Sequence, residues 1–381
     1  MSRPEPTEIE LTAAEFGRFT LPNRLVVAPM TRVSATPTGV PTPEMADYYA
    51  EFARGGFAMV VTEGTYTDAV FAQGYRNQPG LVTPEHGRGW QRVTEQVHAA
   101  GAVIVAQLMH AGALSQGNAH REDTVGPSAI GPSGRMLPEY GGSGPWPIPR
   151  EATTGDLAVV VRGFADAAAN AVRAGFDGVE VHAANGYLLH QFLAPHTNTR
   201  TDRYGGSLVG RLRLTVEVLH AITDRVGADF CVGVRLSQGT VTDASCRWLE
   251  SATDAETAFT TLTGAGASYL HIASEGRDWE HSARLADTTV TRLARTSTGL
   301  PVIANGGMHD RDRTRRVLAD GHADLVSIGH AALANPDLPR AWSDDRPLRA
   351  FDRAMLSPYA TLENARRWRD AVRGGTGQVT A

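Results

Sequence analysis

Short runs of apolar and β-branched residues recur along the chain, each bounded by turn residues and separated from the next by a segment with helical periodicity. Eight such runs predict strands: "RLVVAPM" (24–30), "AMVVTE" (58–63), "AVIVAQL" (102–108), "DGVEVHA" (177–183), "FCVGVRL" (230–236), "SYLHIA" (268–273), "PVIAN" (301–305) and "DLVSIG" (324–329). Several are apolar almost throughout rather than alternating, as strands covered on both faces tend to be. The segments between them carry helix boundary signals. Thr42 and Thr83 are each followed by proline and glutamate, which places a capping hydroxyl ahead of a first-turn proline and an acid suited to the helix dipole. Gly101, Gly175 and Gly227 stand just past helix-like runs, where a left-handed residue ends a helix. The clearest helices are predicted over 156–175 and 207–227. Eight strand–helix units in succession predict an α/β chain folded as a closed (β/α)8 TIM barrel, with an open doubly wound sheet as the competing arrangement.

One connection is far longer than the rest. Residues 112–150, rich in glycine and proline, follow the third strand, and structureless connections of this length are usually functional or disordered. Tyr140 and Trp146 favour an ordered flap over the barrel mouth; an insertion that pads the surface is the alternative. Residues 340–381 read as a loop and short helix that close the barrel, so the whole of 1–381 is expected to be one barrel domain.

Charge and composition remove several function classes. With 36 basic and 41 acidic residues well mixed, for a net charge of −5, the chain has no basic stripe for a nucleic-acid backbone. No run of eighteen apolar residues or signal-like N-terminus occurs, so a cytoplasmic protein without a membrane partner is expected. Cys231 and Cys246 are too few for a disulfide framework and match no zinc spacing. The chain contains no lysine, which excludes a Schiff-base aldolase.

Barrel chemistry sits at the C-terminal strand ends, so the polar residues there are the candidates. In strand order they are Pro29, Met30, Thr31 and Arg32; Glu63 and Gly64; Gln107 and His110; His182, Asn185 and Tyr187; Arg235 and Ser237; Ser274; Asn305, Gly306 and Gly307; Gly329 and His330. The set suits a flat polar heterocycle and lacks the carboxylate cluster of a divalent metal site, so no metal is expected. "ANGG" (304–307) and "SIGHA" (327–331) offer small residues and backbone N–H groups at adjacent strand ends, where barrels frequently hold a phosphate. His110 and His271 read as satisfied strand histidines, and "NTRTDRYGGS" (198–207) as a structural loop with Ser207 capping the next helix.

"APMTR" (28–32), "TEGT" (62–65), "QLMHAG" (107–112), "HAANGYLLHQFL" (182–193), "NTRTDRYGGS", "VGVRLS" (232–237), "ANGG" and "NPDLP" (335–339) together resemble the ordered motif set of the Old Yellow Enzyme family. The resemblance runs from about residue 7 to about residue 365. It implies a barrel that holds FMN non-covalently, is reduced by NADPH or NADH, and reduces a small activated alkene as a monomer or homodimer. By the same resemblance, Thr31 would lie beside the flavin's C4 oxygen and N5, Gln107 along its pyrimidine edge, and Arg235 at the region that becomes anionic on reduction. His182 and Asn185 would clamp the oxygen of a substrate carbonyl or nitro group, and Tyr187 would protonate the α-carbon. Pro29, Met30, Gly64, Asn305, Gly306, Gly307, Gly329 and His330 complete the expected cofactor site. Three positions depart from the pattern. His330 replaces the arginine expected to contact the phosphate, Met109 a frequent tryptophan, and Ala113 a frequent arginine. A neutral imidazole is a weaker phosphate partner than a bidentate guanidinium, which implies weaker and more pH-dependent flavin binding. The competing readings are a flavin-dependent dehydrogenase, a redox-neutral isomerase, or a flavin-binding protein whose chemistry has decayed.

Overall fold

The eight predicted runs form eight parallel strands in the computed structural model, which describes residues 8–274 and 279–373. They are β1 (Leu25–Val27), β2 (Met59–Val61), β3 (Val103–Met109), β4 (Gly178–Asn185), β5 (Cys231–Thr240), β6 (Tyr269–Ala273), β7 (Val302–Asn305) and β8 (Leu325–Ile328). Strands pair in the order β2-β1-β8-β7-β6-β5-β4-β3, and Met59–Val61 also pairs with Val103–Val105, which closes the sheet on itself. A closed ring has no edge strand, so the open-sheet arrangement is removed.

Seven crossover helices surround the ring: α1 (Pro43–Arg54), α2 (Pro84–Ala99), α3 (Thr154–Arg173), α4 (Leu208–Val226), α5 (Ala252–Gly264), α6 (Val290–Thr298) and α7 (Arg311–Ala319). Beyond β8 come α8 (Leu338–Ser343) and α9 (Leu362–Arg373); the last eight residues of the expected closing segment lie outside the described residues. The caps act as expected. Thr42 accepts from the Met45 amide, and Thr83 forms a reciprocal capping box with His86. A second box, Thr153 with Asp156, starts α3 two residues before the predicted 156. Arg200 pairs with Asp202 through two hydrogen bonds and Ser207 caps α4, so the "NTRTDRYGGS" loop has the structural role expected of it.

A hairpin that the pattern did not predict, Ala14–Phe16 with Phe19–Leu21, plugs the barrel's N-terminal end. Phe16 and Leu21 pack there with Val26, Met59, Tyr269 and Leu325. Its three-residue arms are too short to show a period. At the opposite end, 112–150 is tied down by Val125–Gly126 pairing with Arg150–Glu151, by a turn at Pro138–Tyr140 and by buried Trp146. The C-terminal segment is stitched to it and to the first barrel loop: Ala360 N–H donates to Glu139 O (2.8 Å) and Arg32 Nη2 to Thr361 O (2.9 Å). No helix among the described residues is long and apolar enough to cross a membrane.

Gly233 in β5 leaves room for the Tyr269 ring, whose Cζ lies 2.0 Å from where a Cβ would stand. Gly233→Ala should therefore overpack the barrel and cost about 1–3 kcal/mol. Thermal unfolding followed by circular dichroism should show a midpoint lowered by several degrees; an unchanged midpoint would mean that Tyr269 relaxes freely.

Candidate active site

A layer of polar side chains crosses the barrel interior just below its C-terminal mouth, centred on Glu180, which is fully buried in β4. Its carboxylate accepts from Gln107 Nε2 (2.9 Å, β3), Tyr269 OH (3.0 Å) and His271 Nδ1 (2.8 Å, both β6). A carboxylate has no proton to give, so His271 carries its proton on Nδ1 and its Nε2 is an acceptor. Ser327 Oγ of β8 (2.8 Å) and Arg235 Nη1 of β5 (2.6 Å) approach that nitrogen. Asn305 Nδ2 of β7 donates to Ser327 Oγ (3.0 Å). Burial pushes the Glu180 pKa up, but His271, Arg235 and the hydrogen bonds outweigh it and hold the value at about 2. Burial, followed by Arg235, lowers His271 to about 4, so at neutral pH His271 is uncharged and Arg235 is the cation that balances Glu180. Gln107, Arg235 and Asn305 were all expected at the site, and this one network connects them.

His182 stands two residues after Glu180 and therefore on the same inward face of β4. Its Nδ1 is buried and has no hydrogen-bond partner among the described residues. Burial first and the Arg235 charge second push its pKa well below 6.5, so the ring is neutral. Regular alternation would turn Asn185 outward, but φ is +65° there, a left-handed conformation that asparagine tolerates, and the alternation ends. Ser237 Oγ holds the turn by accepting the Asn185 N–H (2.8 Å), while Asn185 Oδ1 is buried without a partner among the described residues. Gly186 follows at φ +91°, where a Cβ would meet Thr240 Cβ at 2.9 Å; the loop needs glycine for both reasons. Tyr187 then places its ring 4.9 Å from the His182 ring.

On the other side of the mouth, Glu63 holds the segment after β1. Its Oε2 accepts from the Arg32 and Val33 amides (2.8 and 3.2 Å), and Tyr49 OH donates to Oε1 (3.2 Å). Val33 has φ +39°, a strained value for a β-branched residue. Thr31, next to this clamp, is half-buried and makes no hydrogen bond within the described residues. Pro29 and Met30 are half-buried beside it. A Cβ at Gly64 would strike Met109 Sδ at 2.5 Å, and one at Gly329 would sit 3.7 Å from Met30 Sδ. Gly306 and Gly307 have φ of +118° and +66°; a Cβ at Gly306 would meet Ser274, so packing alone already demands that glycine. His330 stacks on Phe351 (4.3 Å between centroids, 7° between planes) and keeps part of its surface in solvent. The protein around it, then Arg353, Arg32 and His309, keep its pKa below 6.5.

Orphaned polar atoms at His182 and Asn185, buried Gln107 and Arg235 at strand ends, and backbone-rich turns at 306–307 and 329–330 fit a planar polar cofactor with an anionic tail. Among the described residues no cluster of three or more histidine, cysteine, aspartate or glutamate side chains could hold a metal. His110 bonds the Gly112 amide through Nδ1 (3.1 Å) and lies 3.6 Å from Asp68. Sequence reasoning passed over Glu180, although an acid inside "GVEV" is itself a signal of a buried charge that needs a partner. It also passed over Tyr75, whose hydroxyl lies 2.5 Å from that of Tyr187.

Comparison with known proteins agrees with this geometry. Residues 13–349 match the family model described as NADH:flavin oxidoreductase / NADH oxidase. The chain is 35% identical to 12-oxophytodienoate reductase 1 of Oryza sativa subsp. japonica over 348 residues, 91% of this chain and 89% of the relative. It is also 35% identical to chanoclavine-I aldehyde reductase fgaOx3 of Penicillium roqueforti, across 91% of this chain and 92% of that one. Among solved structures, an old yellow enzyme homologue from Zymomonas mobilis superposes with a TM-score of 0.83 at 29% identity, covering 93% of this chain and 98% of that one. Morphinone reductase in complex with tetrahydroNAD does so with a TM-score of 0.81 at 32% identity, covering 91% and 93%.

Glu63 makes a pH test possible. Burial is the largest influence on it and, against the hydrogen bonds from Arg32 and Val33, pushes its pKa from 4.5 to about 7. A carboxyl that binds its proton more tightly when folded adds stability below pH 4.5 and loses that contribution as pH rises through 7. Glu63→Gln, which cannot ionise, should therefore gain in thermal midpoint relative to the parent between pH 5 and pH 8. Parallel midpoint curves would mean that Glu63 titrates in its ordinary range.

Proposed function

The chain belongs to the NADH:flavin oxidoreductase / NADH oxidase family, the Old Yellow Enzyme family, and is an FMN-dependent oxidoreductase with a nicotinamide reductant; within that family we propose that it is an ene reductase acting on small activated alkenes. The observation that carries this reading is the buried, unpartnered His182 Nδ1 beside a phenol, next to an Asn185 side-chain amide whose Oδ1 is likewise unpartnered and whose NH2 is the donor a substrate oxygen needs. Unsatisfied polar groups in a buried site are costly unless a ligand completes them.

FMN, when bound, would supply the redox chemistry that links a nicotinamide reductant to the β-carbon of an enone, enal or nitroalkene. The protein's own residues do the rest. Gln107 has one amide N–H committed to Glu180, so its carbonyl oxygen is left to accept from a ring N–H. Arg235, kept charged in a buried position by Glu180, stabilises negative charge gathering on the ring. Thr31 offers an uncommitted hydroxyl, with Pro29, Met30 and Gly64 forming the wall around it. Asn305, Gly306, Gly307, Gly329 and His330 would cradle the phosphate. His330 is neutral and a weaker phosphate partner than the arginine the family usually has there, so the backbone amides of these turns carry more of the contact. His182, neutral and with a single N–H, and the Asn185 amide hold the substrate oxygen as charge builds on it, each such donor being worth about 10²–10³ in rate. Tyr187 gives its proton to the α-carbon, a task that suits a phenol because the group is protonated at neutral pH. The two unpaired cysteines suit the cytosol, where the enzyme would work as a monomer or homodimer.

Tyr187→Phe separates the two half-reactions. Reduction of the holoenzyme by nicotinamide should stay within about twofold of the parent, while reoxidation by a simple cyclic enone should slow by about 10²-fold or more, the range of a lost general acid. Stopped-flow absorption of the flavin reads both rates. Equal reoxidation rates would remove Tyr187 from this role.

A further inference from the structure

Tyr75 lies in the loop between β2 and α2, is 1% exposed, and puts its hydroxyl 2.5 Å from the Tyr187 hydroxyl. Among the described residues that is its hydroxyl's one hydrogen-bond partner. The loop is held on both sides. Gln73 Nε2 donates to the Tyr75 carbonyl (3.0 Å), and Gln78 Oε1 accepts from the Gly74 amide (2.7 Å). The start of the 112–150 segment is laced over it, Ser115 Oγ donating to Gln73 O (2.7 Å) and the Gln116 amide to Gly74 O (2.8 Å). The Tyr140 ring, from the far end of the same segment, rests 4.8 Å from that of Tyr75. A phenol fixed so thoroughly, with its polar atom aimed at one other phenol, is more than a pocket wall.

Two neutral phenols in contact share one hydrogen bond, so one donates and the other accepts. Were Tyr187 the donor, its proton would be committed to Tyr75 and turned away from a substrate. With Tyr75 as donor, the Tyr187 proton is not committed to Tyr75 and a Tyr187 lone pair is occupied. The bond also strengthens as the reaction proceeds. When Tyr187 releases its proton its oxygen becomes anionic, and an O–H···O⁻ bond is roughly twice as strong as a neutral one. An interaction that grows toward the transition state accelerates the step, whereas one of constant strength does not.

We propose that Tyr75 is a positioning residue for proton delivery: its O–H donates to the Tyr187 oxygen, aims the Tyr187 proton at the substrate α-carbon, and stabilises the phenolate left behind. In the step itself the Tyr187 O–H bond breaks, the α-carbon–hydrogen bond forms, and the electron pair stays on the Tyr187 oxygen. Water later returns a proton to that oxygen, and no reagent beyond the nicotinamide is consumed. The proposal rests on the reading of Tyr187 as the acid.

The test uses the FMN-loaded protein with Tyr75→Phe, Tyr187→Phe and the double variant, oxidised by a cyclic enone in stopped flow. Tyr75→Phe should slow enone-driven reoxidation by about tenfold in the limiting rate, with half-saturation changed less than twofold, and raise its solvent deuterium isotope effect. Reduction by nicotinamide, reoxidation by a para-quinone, and the dissociation constants for FMN and for a para-substituted phenol should all be unchanged. In the Tyr187→Phe background the Tyr75 change should have no further effect. A tyrosine fluorinated beside the hydroxyl at position 75 keeps the donor and should stay within about twofold of the parent, which guards against a variant that misfolds. If Tyr187→Phe is itself silent, the reading of Tyr187 as the acid fails and takes this inference with it. If Tyr187→Phe is slow but Tyr75→Phe matches the parent, the inference alone fails. It fails too if Tyr75→Phe weakens phenol binding or slows the Tyr187→Phe enzyme further, since Tyr75 would then be shaping the pocket.

Discussion

A carboxylate with no access to water sits at the centre of the barrel, and the mouth is built around the need to satisfy it. Glu180 on β4 would be prohibitively costly alone. Residues on β3 and β6 bond it directly, Arg235 on β5 balances its charge, and β7 and β8 join through Asn305 and Ser327. The partners are inward residues of five different strands, β6 supplying two of them, so the closed ring brings them to one level. Gln107 and Arg235 thereby have fixed orientations before any ligand arrives, and preorganised dipoles of that kind do not have to reorganise at the moment of reaction. The N-terminal hairpin contributes from below by filling the barrel's other end with apolar side chains, including the faces of Tyr269.

Above that level the chain departs from regular geometry, and it does so where the candidate chemistry lies. Asn185 at φ +65° and Val33 at φ +39° are both non-glycine residues in left-handed conformations, on opposite sides of the mouth. Neither stands unsupported. Ser237 accepts the Asn185 amide, and Glu63 accepts the Val33 amide and that of Arg32 before it. Strain of this sort survives when neighbours over-determine the backbone, and it is commonly found at ligand sites. Here the turn at Asn185 ends a strand whose regular alternation would have pointed that side chain the other way.

The strands were legible because a parallel barrel demands two-sided burial, and continuous apolar runs such as "AVIVAQL" and "FCVGVRL" follow from that demand. Caps at Thr42, Thr83 and Ser207 were legible because one hydroxyl at a helix start has a single strong use. What the pattern hid was whatever depends on long-range closure. The plugging hairpin has arms too short for a period, and Tyr75 sits in a turn-rich loop where its meeting with Tyr187, 112 residues away, leaves no local trace. Glycines were ambiguous for a different reason. Gly306 and Gly64 read as possible ligand-facing positions, yet a Cβ at either would collide with Ser274 or Met109, so their presence is explained by packing without any ligand. Motif order across the whole chain carried the functional reading further than any one of these residues did.

The two buried glutamates at the mouth show how far environment separates like groups. Glu180 has three side-chain donors and a nearby guanidinium, and it stays ionised throughout the neutral range. Glu63 accepts two backbone amides and one phenol, but the adjacent guanidinium turns its hydrogen bond elsewhere: Arg32 Nη2 reaches Thr361 O, while Nε and Nη1 have no partner among the described residues. Burial outweighs both these bonds and the Arg32 charge, and Glu63 holds its proton to about pH 7. The charge on Arg32 acts on Glu63 and also on Tyr48 at 5.8 Å and the His330 imidazole. The segment that presents Thr31 is consequently anchored by a carboxyl that titrates near neutrality, whereas the strand that presents His182 is anchored by one that does not. One wall of the mouth is electrostatically fixed and the other responds to pH.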